Sequence, residues 1–133
     1  MRKPQQCGVR VAPHTTELAR RLQNALAHVV ARLDPQHGEK CVDVATNTGW
    51  TARLLRACEA GVTGVDIGAG VIDAANKLAP DIDFRIGYAE ELEFRDGSFT
   101  FAVMSVARPE DAARELARVC KKGGRLGICT WPP

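Results

Sequence analysis

The sequence predicts an α/β protein: a Rossmann-like, doubly wound parallel sheet of five strands in the order 3-2-1-4-5, preceded by an N-terminal helix. Three observations predict it. Short, nearly continuous apolar runs alternate with stretches of helical periodicity, and strands apolar on both faces belong to parallel sheets covered by helices on both sides. The first strand runs through a tight turn into a helix in "CVDVATNTGWTA", Cys41 to Ala52, the layout of a nucleotide-binding loop. The second strand ends on Asp66, about 20 residues past that turn, where such folds place a ribose-binding carboxylate. With right-handed crossovers and one reversal after the third strand, the ligand crevice falls at the carboxyl ends of strands 1 and 4.

The elements follow in order. After an irregular first dozen residues, Pro13 precedes "HTTELARRLQNALAHVVARL", where Leu18, Leu22, Ala25, Leu26, Val29, Val30 and Leu33 recur at helical spacing. Thr15 or Thr16 is the candidate N-cap, and Glu17 lies in the first turn, where the helix dipole favours an acid. "DPQHGE" ends this helix. "KCVDVA" is the first strand. "GWTARLLRACEA" is a helix stopped by Gly61, and "VTGVDI" is the second strand. "GVIDAANKLA" is a helix closed by Pro80, and "IDFRIG" is the third strand. "AEELEFRDGS" reads mostly as loop, with the turn signal Asp96-Gly97. "FTFAVMSV" is the fourth strand. Pro109 opens the helix "PEDAARELARVC", "KKGG" stops it, and "RLGICTW" is the fifth strand. No repeat, low-complexity tract or linker interrupts the pattern, so residues 1–133 read as one domain.

The 133 residues suffice for one core but not two. Hydrophobic residues make up 45% and charged residues 26%, the balance of a soluble globular chain. A formal net charge of +2 is too small to make nucleic acid the main partner, and the arginines are interleaved with acids, as in "DAARELARVCKK". No apolar run approaches the ~18 residues of a membrane span. The N-terminus lacks the apolar region of a secretory signal, so the expected location is cytoplasmic. Five cysteines, Cys7, Cys41, Cys58, Cys120 and Cys129, show no C-x-x-C spacing, and the expectation is free, mostly buried thiols. His14, His28 and His37 are scattered, so no metal site is expected.

The chain resembles the class I S-adenosylmethionine-dependent methyltransferases, particularly small-molecule enzymes carrying a methyltransferase domain of the ubiquinone-biosynthesis type. The resemblance runs from about Val11 to Trp131 and is carried by "VDVATNTGWTA", "VTGVDIGAGVIDAA", "IDFRIGYAEELEFRDGSFTFAVMSV" and "AARELARVCKKGGRLGICTW". It implies S-adenosylmethionine as the cofactor. It implies that Ala45, Thr46, Asn47 and Gly49 cradle the methionine part and that Asp66 meets the ribose. It places Ile67 against the adenine face, Tyr88 and Ala89 near the adenine edge, and the backbone near Ser105 beneath the sulfonium. NAD is the rival cofactor, but it needs a pyrophosphate turn, normally G-x-G-x-x-G, and "ATNTGW" lacks that spacing.

Several positions depart from the family pattern. Its turn usually carries glycines at the positions of Ala45, Asn47 and Gly49. Asparagine tolerates left-handed backbone better than most residues, so the turn is expected to form. Tyr88 stands where relatives usually have an aspartate. After the fourth strand, "SVARPED" passes almost directly into a helix, where relatives have a longer covering segment. After the fifth, the sequence ends at "TWPP", where relatives continue with two more strands. The cofactor half is kept and the substrate side is reduced. Catalytic residues stay unassigned: His14 and Glu90 are weak candidates for a base, and Trp50 and Trp131 for the opening. Two functions remain: a minimal methyltransferase acting on a small or exposed nucleophile, or a non-catalytic module that binds S-adenosylmethionine or S-adenosylhomocysteine. The bare edge of strand 5 predicts a homodimer.

Overall fold

A computed structural model describes residues 17–105 and 110–130. In chain order these form α1 (Glu17–Leu33), β1 (Lys40–Val44), α2 (Trp50–Ala57), β2 (Gly61–Asp66), α3 (Ala69–Leu78), β3 (Asp83–Ile86), β4 (Phe99–Ser105), α4 (Glu110–Val119) and β5 (Cys120–Cys129). The strands form one sheet in the order β3-β2-β1-β4-β5, every neighbouring pair parallel. This is the predicted order. The predicted helix residues 14–16, Val106 and Pro109, and Trp131 at the end of the fifth strand, lie outside the described residues.

The two faces of the sheet explain the apolar strands. On one face, Cys41, Phe101 and Val103 pack against Val30 and Leu33 of α1 and Leu54 and Leu55 of α2. Beside them, Phe84 of β3 packs against Ala52, Ile72 and Ala75 of α2 and α3. On the other face, Val42, Val44, Val65, Ala102 and Met104 pack under Ala112, Leu116 and Val119 of α4. Central strands β1 and β4 are thus covered twice, which is why their sequences lack simple alternation.

The second face has no helix between β3 and β4. Leu92 is buried there with Phe94 packed against it, and Arg118 of α4 holds this segment in place. Its guanidinium donates to the carbonyls of Leu92 at 2.7 Å and Phe94 at 2.8 Å, to Asp96 at 2.8 Å, and to Glu115. A loop can cover a sheet only if its backbone polar groups find partners, and here one arginine supplies them. On the opposite face, Arg125 of β5 donates to the Leu33 carbonyl at 2.8 Å and to Glu39 at 2.7 Å, tying β5 to the end of α1.

Three sequence expectations are corrected. Helix α2 ends at Ala57 rather than Ala60, because Glu59 takes a left-handed φ of 66° and turns the chain. Gly61 then starts β2. The fifth strand starts at Cys120 rather than Arg125. Phe99 pairs with Cys120 and Phe101 with Arg125, so "KKGG" bulges within the strand instead of merely ending the helix. Gly124 permits this bulge, since a Cβ there would lie 2.7 Å from the Thr100 carbonyl oxygen. Cys41, Cys120 and Cys129 are free and buried, but Cys58 is disulfide-bonded. Spacing along a chain does not disclose which cysteines meet in space. Among the described residues, no helix is long and apolar enough to cross a membrane.

Candidate functional site

The loop from β1 to α2 has an unusual backbone. Ala45, Asn47 and Gly49 all have positive φ, at 61°, 54° and 85°. Left-handed geometry at alternate positions costs an alanine about 1–2 kcal/mol, so the surrounding bonds must hold it. The Thr46 N–H donates to the Val65 carbonyl at 2.9 Å, and the Gly49 N–H to the Thr46 carbonyl at 2.8 Å. The Asn47 N–H donates to Asp66 Oδ2 at 2.9 Å. The Thr46 side chain turns down into the protein, where its hydroxyl donates to Asp43 Oδ2 at 2.7 Å. Gly49 is required for space as well as φ: a Cβ there would sit 2.6 Å from Phe84 Cζ.

Asp66, at the tip of β2, joins the loop to the next turn. Its Oδ2 receives the Asn47 N–H and its Oδ1 receives the Gly68 N–H, both at 2.9 Å. Each oxygen keeps a further lone pair, so the fixed carboxylate can accept from two neighbouring hydroxyls. It borders a cavity of about 180 Å³ lined by Val44, Ala45, Val65, Asp66, Ile67, Gly87, Tyr88, Ala89 and Glu90. This is smaller than the roughly 300–1,000 Å³ of a closed ligand pocket, and is the enclosed part of an open crevice. Ile67 and Tyr88 stand at its mouth, 65% and 59% exposed. Large apolar side chains held open to solvent around a carboxylate suit a flat ring joined to a sugar.

Of the residues singled out from the sequence, Ala45, Asp66, Ile67, Tyr88 and Ala89 meet at this cavity, with Glu90 on its wall. Thr46, Asn47 and Gly49 shape the loop but do not line the cavity. Ser105 ends β4, half-buried, one residue beyond the pair Val44–Met104 across the switch point, and it does not line the cavity either. Trp50 packs against the core between α1 and α2. His14 and Trp131 lie outside the described residues. A larger cavity, about 590 Å³, opens at the amino ends of the strands among the ion pairs Arg56–Asp81 and Arg85–Asp83. Ligands of such sheets bind at the carboxyl ends, so the smaller cavity is the candidate site.

Sequence reasoning missed Asp43. It is only 2% exposed and lies directly beneath the loop. Burial pushes its carboxyl up to about 7; the Thr46 hydroxyl and the Ala52 N–H pull it down, and the charge of Asp66 raises it further. The available signal was an acid inside the otherwise apolar run "CVDVA", since a buried carboxylate is rare without a purpose or a partner.

Comparison with known proteins agrees with this geometry. The model of a methyltransferase domain family matches residues 42–128. The chain is 35% identical over 108 residues to a demethylmenaquinone methyltransferase of Paenarthrobacter aurescens, covering 77% of this chain and 43% of that protein. The chain therefore spans less than half the length of that curated relative. Among solved structures, an S-adenosylmethionine-dependent methyltransferase from Methanosarcina mazei superposes with a TM-score of 0.65 at 28% identity, over 70% of this chain and 52% of that one. The [4+2]-cyclase SpnF superposes with a TM-score of 0.75 at 25% identity, over 85% and 46%. The left-handed loop, the clamped carboxylate at the tip of β2, the strand order and the family match over residues 42–128 together make this chain a member of the class I S-adenosylmethionine-dependent methyltransferases.

Proposed function

We propose that this chain binds S-adenosylmethionine at the tips of β1 and β2 and uses it to methylate a small or exposed nucleophile. The observation that carries this reading is the Asp66 carboxylate, fixed by two backbone N–H groups with lone pairs left toward the cavity. Asp66 would take the ribose hydroxyls, Ile67 and Tyr88 would flank the adenine, and the loop from Ala45 to Gly49 would hold the methionine part. When bound, S-adenosylmethionine supplies an electrophilic methyl group on a sulfonium. The protein's task is then to align the nucleophile and exclude water. Of the two candidate bases, Glu90 is the one among the described residues; it stands on the cavity wall and is exposed, which favours an acceptor that is already nucleophilic, such as an ionised phenol or quinol. The name of the Paenarthrobacter relative makes a demethylated quinol the first acceptor to try.

A dinucleotide fits less well. The turn "ATNTGW" lacks the G-x-G-x-x-G spacing of a pyrophosphate site, and the loop lies over buried Asp43. Calorimetric titration with S-adenosylmethionine, S-adenosylhomocysteine and NAD tests the reading. Micromolar binding of the first two with none of the third supports it, and the reverse pattern overturns it. Transfer of labelled methyl to reduced demethylmenaquinone then tests the acceptor.

We propose further that a second copy pairs along the outer edge of β5. In the described residues β5 pairs only with β4, and Leu126 and Ile128 on it are 44% and 39% exposed. An open apolar edge is a template for another strand. Light scattering that shows only monomer at micromolar concentration would remove this proposal.

A further inference from the structure

We infer that the cavity at the amino ends of the strands is a second binding site, separate from the cofactor crevice, for a small aromatic anion. Its volume, about 590 Å³, is that of an ordinary ligand pocket. The sheet itself creates the space. β1 and β2 start level, with Lys40 opposite Gly61, but β3 first pairs at Thr63. The edge strand is therefore set back, and a notch opens beside the start of β2. Asp81 and Ile82, from the turn between α3 and β3, form one wall, and Phe94, Ser98 and Phe99 form another.

The lining divides by chemistry. Phe99 is buried, and Val62, Phe94 and the hydroxyl residues Thr63 and Ser98 are half-buried. The charged residues Lys40, Arg56, Arg85, Asp81 and Asp83 are all exposed. An apolar interior with a few polar groups at its mouth is the pattern of small-molecule sites.

Two features select an anion that carries a ring. The first is charge. Three cations line the cavity against two carboxylates, and each carboxylate already accepts from a guanidinium. Asp81 accepts from Arg56, and Asp83 Oδ2 accepts from Arg85 Nε at 3.1 Å and Nη2 at 2.9 Å. Glu93, which also acts on Arg85, lies outside the lining. Lys40 is the surplus positive charge. The second is stacking. The Arg85 guanidinium lies over the Phe94 ring, 5.2 Å from its centroid, and Phe94 meets Phe99 edge-on at 5.0 Å. A planar guanidinium packs against aromatic faces. With one face on Phe94 and its side chain 53% exposed, Arg85 offers the other face to a ligand ring, while Lys40 meets the anionic group. Exposed ion pairs hold their partners weakly, so the arginines can turn toward a ligand at little cost.

The experiment is a titration of the isotope-labelled chain, followed by amide NMR, with phenyl phosphate, inorganic phosphate and benzyl alcohol. Phenyl phosphate should saturate with the millimolar affinity that suits so small a probe. It should shift the amides of Val62, Thr63, Phe94 and Ser98 and leave those of Asp66 and Ile67 in place. The other two probes each lack half of the recognition and should bind on the order of tenfold more weakly. Lys40→Gln and Arg85→Gln should each weaken phenyl phosphate binding several-fold. Should Arg85→Gln fail to fold, Lys40→Gln, at an exposed position, decides. Four results would overturn the inference: no saturable shift, shifts confined to the crevice, equal binding by either simpler probe, or unchanged affinity in Lys40→Gln.

Discussion

Replacing Gly49 with alanine adds one methyl group at the most crowded point of the loop. Two costs can be separated. The first is conformational: Gly49 has φ 85°, and left-handed backbone costs an alanine about 1–2 kcal/mol. The second is steric. The new Cβ would lie 2.6 Å from Phe84 Cζ and 3.0 Å from its Cε1. Phe84 is packed among Ala52, Ile72, Ala75 and Ile82 and cannot swing away, and overpacking of this kind costs about 1–3 kcal/mol. Together they amount to about 2–5 kcal/mol, or a fall in Tm of about 8–20 °C for a domain of this size. Thermal unfolding of Gly49→Ala, of Phe84→Leu and of the double variant tests both parts. Leucine lacks the two atoms that clash, so the double variant should recover the steric share and show a strong interaction in the cycle. A Gly49→Ala protein that melts within a few degrees of wild type, or a strictly additive double variant, would refute the assignment of Phe84 as the wall behind the loop.

Other substitutions address the ligand. Asp66→Ala should weaken S-adenosylmethionine binding on the order of a hundredfold, from two lost charge-assisted hydrogen bonds, while circular dichroism stays unchanged; retained affinity in calorimetry would mean the ribose does not meet Asp66. Tyr88→Asp restores the acid common in the family and should tighten binding about fivefold if position 88 meets the adenine amino group, given roughly 1 kcal/mol for one hydrogen bond; weaker binding would point to stacking by the tyrosine ring instead. The pH dependence of stability has a defined sign. Asp43 titrates near 3.8 when unfolded and about 7 when folded, so its protonated form favours the folded state, and that contribution is lost as pH rises through about 7. Wild type should therefore lose stability relative to Asp43→Asn between pH 4 and pH 7, and parallel Tm curves for the two would show that Asp43 is not buried as described.

The sequence alone determined the sheet, its order and the place of the crevice. Apolar strands, helical periodicity and turn residues are local signals, and right-handed crossovers leave few ways to connect them. It also located Asp66 at the tip of β2, because an acid closing an apolar strand after a loop has a fixed place in such a sheet. Tertiary structure decided the rest. That Ala45 takes left-handed geometry depends on bonds from the loop to Val65 and Asp66, which lie on a different strand. That "KKGG" bulges inside β5 depends on its register against Phe99 and Phe101. That a loop covers the sheet between β3 and β4 depends on Arg118, whose partners in that loop are more than twenty residues away. Asp43 is the clearest case. Its identity was in plain view, but its burial beneath the loop and the absence of a cation beside it among the described residues exist only once the strands are assembled. Local preferences fix which elements form, whereas desolvation and pairing are properties of groups that the chain brings together from a distance.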